Sequence, residues 1–215
     1  MVILMKKITN EYFKKFCDVI ERSLTDSSKI KDCLTDIINA SKDDSGDEEV
    51  YKDKEYNIEV LKLDEYTKDF KEKRKLENTD FSNHQPPAVD AVCVNKNNEW
   101  FLIEFKNQKL KEAIKDTPKK MHSSIWLIAY LYSKLSENLS DEKDLLKFAR
   151  ENITFITVVS SEKNEDDEEA IGVKWEKDGS FYTPLKFKKY KGYYFKDIYV
   201  LTEKGLRFFV KSFED

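Results

Sequence analysis

At 215 residues the chain is long enough to bury a substantial core, and its formal net charge of -4 excludes a uniformly cationic nucleic-acid-binding surface. Its 14 phenylalanines and 11 tyrosines exclude a disordered chain, and the absence of any apolar run of about 18 residues excludes a membrane-spanning helix. Cys17, Cys33 and Cys93 are widely spaced and form neither a disulfide framework nor a zinc motif, and MVILMKK is too short for a signal-peptide core. A single cytoplasmic domain over residues 1–215 is expected.

In chain order, Asn10 can cap a helix from Glu11 to Leu24, with Tyr12, Phe13, Phe16, Val19, Ile20 and Leu24 as its apolar stripe. A second helix is expected from Ser28 to Ala40, giving an N-terminal helical pair over about residues 8–40. Ser41 to Asn57 is acid-rich, contains Gly46 and reads as an exposed loop. Ile58 to Leu63 reads as a strand. Asp64 to Asp80 reads as a short exposed helix or a flap, whose basic cluster of Lys71, Lys73, Arg74 and Lys75 is either a solvated face or a phosphate contact. His84 falls in the loop that follows.

The stretch Pro86 to Gln108, PPAVDAVCVNKNNEWFLIEFKNQ, holds two apolar runs, Ala88 to Val94 and Trp100 to Phe105, around a polar break at Asn95 to Asn98. That is a β-hairpin pattern. Alternation puts Trp100, Leu102, Glu104 and Lys106 on one face of the second strand. With a loop at Lys96 to Asn98, Val94 faces Trp100, Val92 faces Leu102, and Asp90 faces Glu104. Like charges held about 4.5–5.5 Å apart at their Cβ atoms destabilise the pair unless something compensates. A divalent cation would do so, and a hard, oxygen-lined site suits Mg²⁺ or Mn²⁺. The same residues also fit a plainer arrangement, a buried Glu104–Lys106 ion pair with Asp90 bonded to a loop. Other acid-x-Lys triplets, at Asp69/Lys71 and Asp141/Lys143, lie in polar surroundings and read as solvated helix faces.

Asp90 followed by Glu104-Phe105-Lys106 resembles the signature of the PD-(D/E)XK nuclease superfamily, with Val89 where the pattern carries proline. The resemblance implies a metal held by Asp90, Glu104 and the carbonyl of Phe105, with Lys106 orienting or activating the attacking water. It also implies Gln108 as an accessory polar residue on the same side of the strand, and Glu21 as a glutamate lent by the leading helix. The implied substrate is nucleic acid, DNA in the first place with RNA as the alternative, and the implied cofactor is Mg²⁺ or Mn²⁺.

Beyond Gln108, Thr117-Pro118 reads as an N-cap and first helical residue of a largely buried helix running to Leu135. Lys119, Lys120 and His122 in its first turns either face substrate, the two lysines as candidate phosphate contacts, or form an exposed basic turn. Further helices are expected from Ser140 to Arg150 and from the cap Thr202 to Phe213, and strands at Ile153 to Val159 and Tyr193 to Leu201. Glu162 to Glu169 reads as a solvated acidic loop, and Asp178-Gly179 as a hairpin turn or loop. The order predicts an α/β fold, a mixed β-sheet flanked by helices, close to the restriction-endonuclease-like αβββαβ core. A non-catalytic, immunity-like protein on the same scaffold, binding a basic partner through its acidic loops, is the alternative.

Overall fold

The longest unbroken apolar runs occupy the middle of the sheet. In the computed structural model, which describes residues 11–42, 48–76, 87–135, 142–167, 171 and 180–211, Trp100–Lys106 (β4) lies between Ala91–Val94 (β3) and Ile153–Val159 (β5). Every residue of β5 is buried, as expected of a strand covered on both faces. Leu34–Asp36 (β1) and Glu59–Leu61 (β2) extend the sheet beyond β3, and Asp197–Leu201 (β6) extends it beyond β5. Pairing is antiparallel from β1 to β4 and parallel from β4 to β6, so the sheet is mixed and six-stranded.

Helices cover both faces. On one, Glu11–Ser23 (α1) and Leu110–Leu135 (α5) pack on Trp100, Leu102 and Phe155, with the Phe16 ring edge-on to Trp100 at 4.8 Å. On the other, Ile37–Ala40 (α3) and Glu203–Lys211 (α7) cover Phe101, Ile103, Ile156 and Val158, with Phe209 edge-on to Phe101 at 4.8 Å. Leu63–Leu76 (α4) and Glu142–Asn152 (α6) complete the layers. No helix among the described residues is long and apolar enough to cross a membrane.

The structure corrects several expectations. Ser28 to Ala40 is not one helix. It is a 3-10 turn at Ser27–Lys29, a single turn Ile30–Cys33 (α2), the strand β1 and then α3. The apolar spacing there suits a helix, but backbone pairing of Leu34, Thr35 and Asp36 with β2 offers the chain a sheet edge, and Asp36 then caps α3 by accepting from Asn39 N at 2.9 Å. The acidic segment after Ser41 is also not simply exposed. Tyr51 is fully buried, with Val50 and Tyr56, because these side chains fill the second face of the sheet beside Ile58 and Val60. Strand β6 begins at Asp197, since Tyr193 to Phe195 belong to a turn closed by Gly192, whose φ of +71° puts it in the left-handed region that glycine tolerates.

Helix α5 starts at Leu110 rather than Thr117, and Pro118 lies inside it. The start is set by a residue distant in sequence. Asn164, 2% exposed at the end of a 3-10 turn (Glu162–Asn164), accepts from Leu110 N at 2.6 Å and donates to Gln108 O at 3.0 Å and Ser160 O at 2.7 Å. It thereby satisfies one of the orphan amides at the helix start. The proline forfeits one helical N–H bond, and the rest of the helix holds it through burial of its second half. His84, Asp178 and Gly179 lie outside the described residues, as do residues 8–10 and 168–169.

Removing the Asn164 amide leaves Leu110 N and Ser160 O without these partners. Asn164→Ala is therefore expected to destabilise the fold by about 1–3 kcal/mol, lowering the thermal midpoint by about 2–4 °C per kcal/mol in a calorimetric melt.

Candidate functional site

The site is built by the hairpin register. Asn95 Oδ1 accepts from Asn97 N and Glu99 N at 3.0 Å each, Asn95 N donates to Glu99 O at 3.0 Å, and Asn98 takes the left-handed conformation at φ 60°. This closes the loop so that Val94 pairs with Trp100, Val92 with Leu102 and Ala91 with Ile103. The next step of the register sets Asp90, in the bend before β3, against Glu104. Asp90 accepts from Phe105 N at 2.7 Å through Oδ2. Both acids stand on the face of Val92 and Leu102, beneath α5.

Helix α5 answers them with a lysine. Lys120 Nζ lies 3.6 Å from Asp90 Oδ1 and 3.4 Å from Glu104 Oε2, and it donates to Ala88 O. Ser124 Oγ accepts from Val89 N at 3.0 Å and Ser123 Oγ donates to Pro87 O, so one side of the helix braces the backbone that carries Asp90. Lys106, two residues along β4, reaches Glu104 Oε1 at 2.7 Å. Glu104 is 1% exposed and its Oε2, although near the Lys120 ammonium, has no aligned hydrogen bond.

These groups line a cleft of about 220 Å³ at the end of β4, rimmed by Ser41, Lys42 and Val50 on one side and by Asp116 and Lys120 of α5 on the other. Phe105, Lys106, Asn107 and Gln108 form its floor. Gln108 lies past the end of β4 rather than on it, yet still lines the cleft, its carbonyl held by Asn164. Glu21, on α1, is not among the lining residues, and neither is Lys119, which is exposed on α5. His122 packs its ring edge-on against Tyr190 at 5.4 Å and Tyr194 at 5.9 Å, away from the acids. Of the basic cluster on α4, Lys71 and Lys73 do not line the cleft either.

Two acids beyond the motif bear on the site. Asp116 lines the cleft, and Asp64, in the first turn of α4, acts through its charge on both Asp90 and Lys120. The burial of Asp64 raises its own pKa. In sequence Asp64 opens a polar helix, and nothing local separates it from an ordinary N-terminal acid.

Burial, reinforced by the nearby Glu104 charge, pushes the Asp90 carboxyl up to about 8 against the opposing pull of Lys120 and the Phe105 N–H. Burial pulls the Lys120 ammonium down, but the carboxylates of Glu104 and Asp90 outweigh it and hold the pKa above the ordinary lysine value. In a strand, one residue's N–H and C=O point to the same flank. Phe105 aims its N–H at Asp90 while Lys106 O accepts from Ser160 on the β5 side, so the Phe105 carbonyl faces the Asp90 flank. Asp90, Glu104 Oε2 and that carbonyl are a hard oxygen set of the kind Mg²⁺ or Mn²⁺ takes, with water and substrate filling the other positions. Glu104 Oε2, met at 3.4 Å by the Lys120 ammonium without an aligned hydrogen bond, fits such an ion. No group of three or more His, Cys, Asp or Glu side chains suited to a metal occurs among the described residues.

Because the folded state keeps a proton on Asp90 that the unfolded chain releases near the usual aspartate value, this contribution to stability is complete below pH 4. It is lost as pH rises toward about 8. In metal-free buffer, urea titrations are expected to show wild type losing stability relative to Asp90→Asn across that window, by up to about 1.4 kcal/mol per pH unit. Parallel curves would show that Asp90 is ionised in the fold throughout.

Comparison with family models, with curated proteins and with solved structures finds no match to this chain, so its site is read from its own geometry.

Proposed function

We propose that the chain is a metal-dependent nuclease hydrolysing phosphodiester bonds, of DNA in the first place and of RNA as well. The observation that carries this reading is the pair of acids, Asp90 and Glu104, forced together on one face at an open cleft, with the buried Glu104 Oε2 met by the Lys120 ammonium at 3.4 Å and by no well-aligned hydrogen bond. Natural folds rarely leave such an oxygen without purpose. Supporting it is the order of elements. A leading helix, the antiparallel strands β2, β3 and β4, the crossover α5 and the parallel β5 are compatible with the PD-(D/E)XK core.

Asp90, Glu104 and the Phe105 carbonyl would hold Mg²⁺ or Mn²⁺, which when bound supplies Lewis-acid polarisation of the phosphate and a more acidic water. Lys106, anchored on Glu104 and partly open to the cleft, hydrogen-bonds the attacking water and holds it in line with the leaving oxygen. Lys120 stabilises the negative charge gathered on the phosphate oxygens. The Phe105 N–H fixes the Asp90 carboxylate so that its second oxygen stays turned to the cleft.

A second reading has its own observation. Lys106 and Lys120 already set two ammonium groups against the two acids, an internally compensated cluster that fits a non-catalytic, immunity-like protein. Calorimetric titration separates the two, since only the nuclease reading expects Mn²⁺ binding that disappears in Glu104→Gln. Plasmid and single-stranded substrates with Mg²⁺ are expected to be cut by wild type and at least about 100-fold more slowly by Lys106→Ala. Equal rates would remove the assignment.

A further inference from the structure

The segment Leu185 to Lys196, LKFKKYKGYYFK, carries lysines and aromatics in alternation and has no acid, in a chain whose overall charge is negative. It is a built platform. Phe187 and Phe195 are fully buried in the core beneath α5, Tyr190 nearly so, and Gly192 N donates to Phe195 O at 2.7 Å to close the turn. The platform leaves Tyr193 58% exposed. The Tyr193 ring stands edge-on to Tyr194 at 4.6 Å, with the Arg150 guanidinium 5.8 Å from its centre and Arg150 Nε donating to its carbonyl at 2.9 Å. Lys191 is paired with Asp197 and Lys196 with Glu99. Lys186, Lys188 and Lys189 are exposed and make no ion pair with described residues, although Lys189 lies over the Tyr190 ring at 4.9 Å.

This platform meets α5, the helix that carries Lys120. Lys115, Lys119 and His122 are exposed and share one face of α5 at helical spacing, and His122 meets Tyr190 and Tyr194 edge-on. Lys120, the residue after Lys119, sits against Asp90 and Glu104.

We infer that the Lys186–Lys196 loop, with Arg150 and the Lys115–Lys119–His122 row, binds single-stranded nucleic acid, a base stacking on Tyr193 and phosphates tracking the lysines toward the cleft. The inference deepens the nuclease reading and rests on it only for the fate of the bound strand. An exposed tyrosine face beside a guanidinium suits a base whose own face is free. In a duplex those faces are occupied by neighbouring pairs. A rigid turn also offers no helix or ribbon to enter a groove.

Fluorescence anisotropy in EDTA, with labelled oligo(dT) and oligo(U), reads binding without cleavage. Wild type is expected to bind single strands more tightly than a duplex of the same length. Tyr193→Ala is expected to weaken binding about 10-fold. The Lys188→Glu, Lys189→Glu double variant should lower the salt slope by about 1.4. Unchanged binding in both variants, a duplex bound as tightly as a single strand, or binding to phosphatidylserine vesicles but not to either oligonucleotide would each overturn the inference. Failure of the two readings is distinguishable. Binding by a chain that cuts nothing leaves this site standing and removes the nuclease, whereas cutting with variant-insensitive binding does the reverse.

Discussion

Two acids that share one face at the end of a hairpin are the constraint to which the surrounding structure answers. Their mutual repulsion and burial would cost several kcal/mol without partners, and each neighbouring element supplies one. The β4 backbone donates an amide to Asp90, the same strand places Lys106 on Glu104, and α5 brings Lys120 between the two acids. The helix is composed accordingly. Where it lies over the acids its inward side is mostly small or polar, at Ala113, Thr117, Lys120 and Ser124 with Met121 among them, and further along it turns to Leu127, Ile128 and Leu131. Pro118 falls in the polar half, so the lost helical bond is borne where packing already gives way to chemistry.

How much of this could be read from sequence depended on whether the signal was local. The hairpin register was legible because the Asn95-to-Asn98 break is bounded by apolar runs, and a loop at Lys96 to Asn98 then sets the pairing that the structure has. β5 was legible because seven consecutive residues of high strand preference end at polar ones. The facing of Asp90 and Glu104 followed from that register alone. β1 was not legible, since Ile30, Cys33, Leu34 and Ile37 fit a helical stripe and only the unpaired flank of β2 draws Leu34–Asp36 into the sheet. The start of α5 was hidden for the same reason, being set by Asn164, more than fifty residues away in sequence. Lys120 was the hardest to place correctly. A lysine on a helix reads as solvated, and only the depth at which α5 crosses the hairpin turns it toward buried acids.

The acidic balance of the whole chain conceals a division of charge. Glu48, Glu162, Glu165 and Asp166 gather near Asn107, where Glu48 accepts from the Asn107 side chain, Lys163 donates to its carbonyl and Lys52 pairs with Glu162, whereas the Lys186–Lys196 segment carries lysines and no acid. Net charge does not report such a local separation, which is what sets the field that a charged molecule would meet on approach.

Lys120 holds the central position in the proposed chemistry because it stands where a divalent cation would. Its ammonium faces Asp90 Oδ1 and Glu104 Oε2, the oxygens that an ion would need, so protein and metal compete for one place. Glu104 and Asp90 hold that lysine charged, and the proton that Asp90 keeps below about pH 8 relieves the crowding of the two acids when no ion is bound. Were Asp90, Glu104 and the Phe105 carbonyl to hold an ion, Lys120 would have to leave the acids for the open cleft, where a substrate phosphate would offer it a negative charge. Ion and substrate would then favour one another through a single side chain, each stabilising the arrangement that the other needs. A permanently vacant carboxylate pair would lack this coupling, because no protein group would have to leave the acids and find a new partner when the ion arrived.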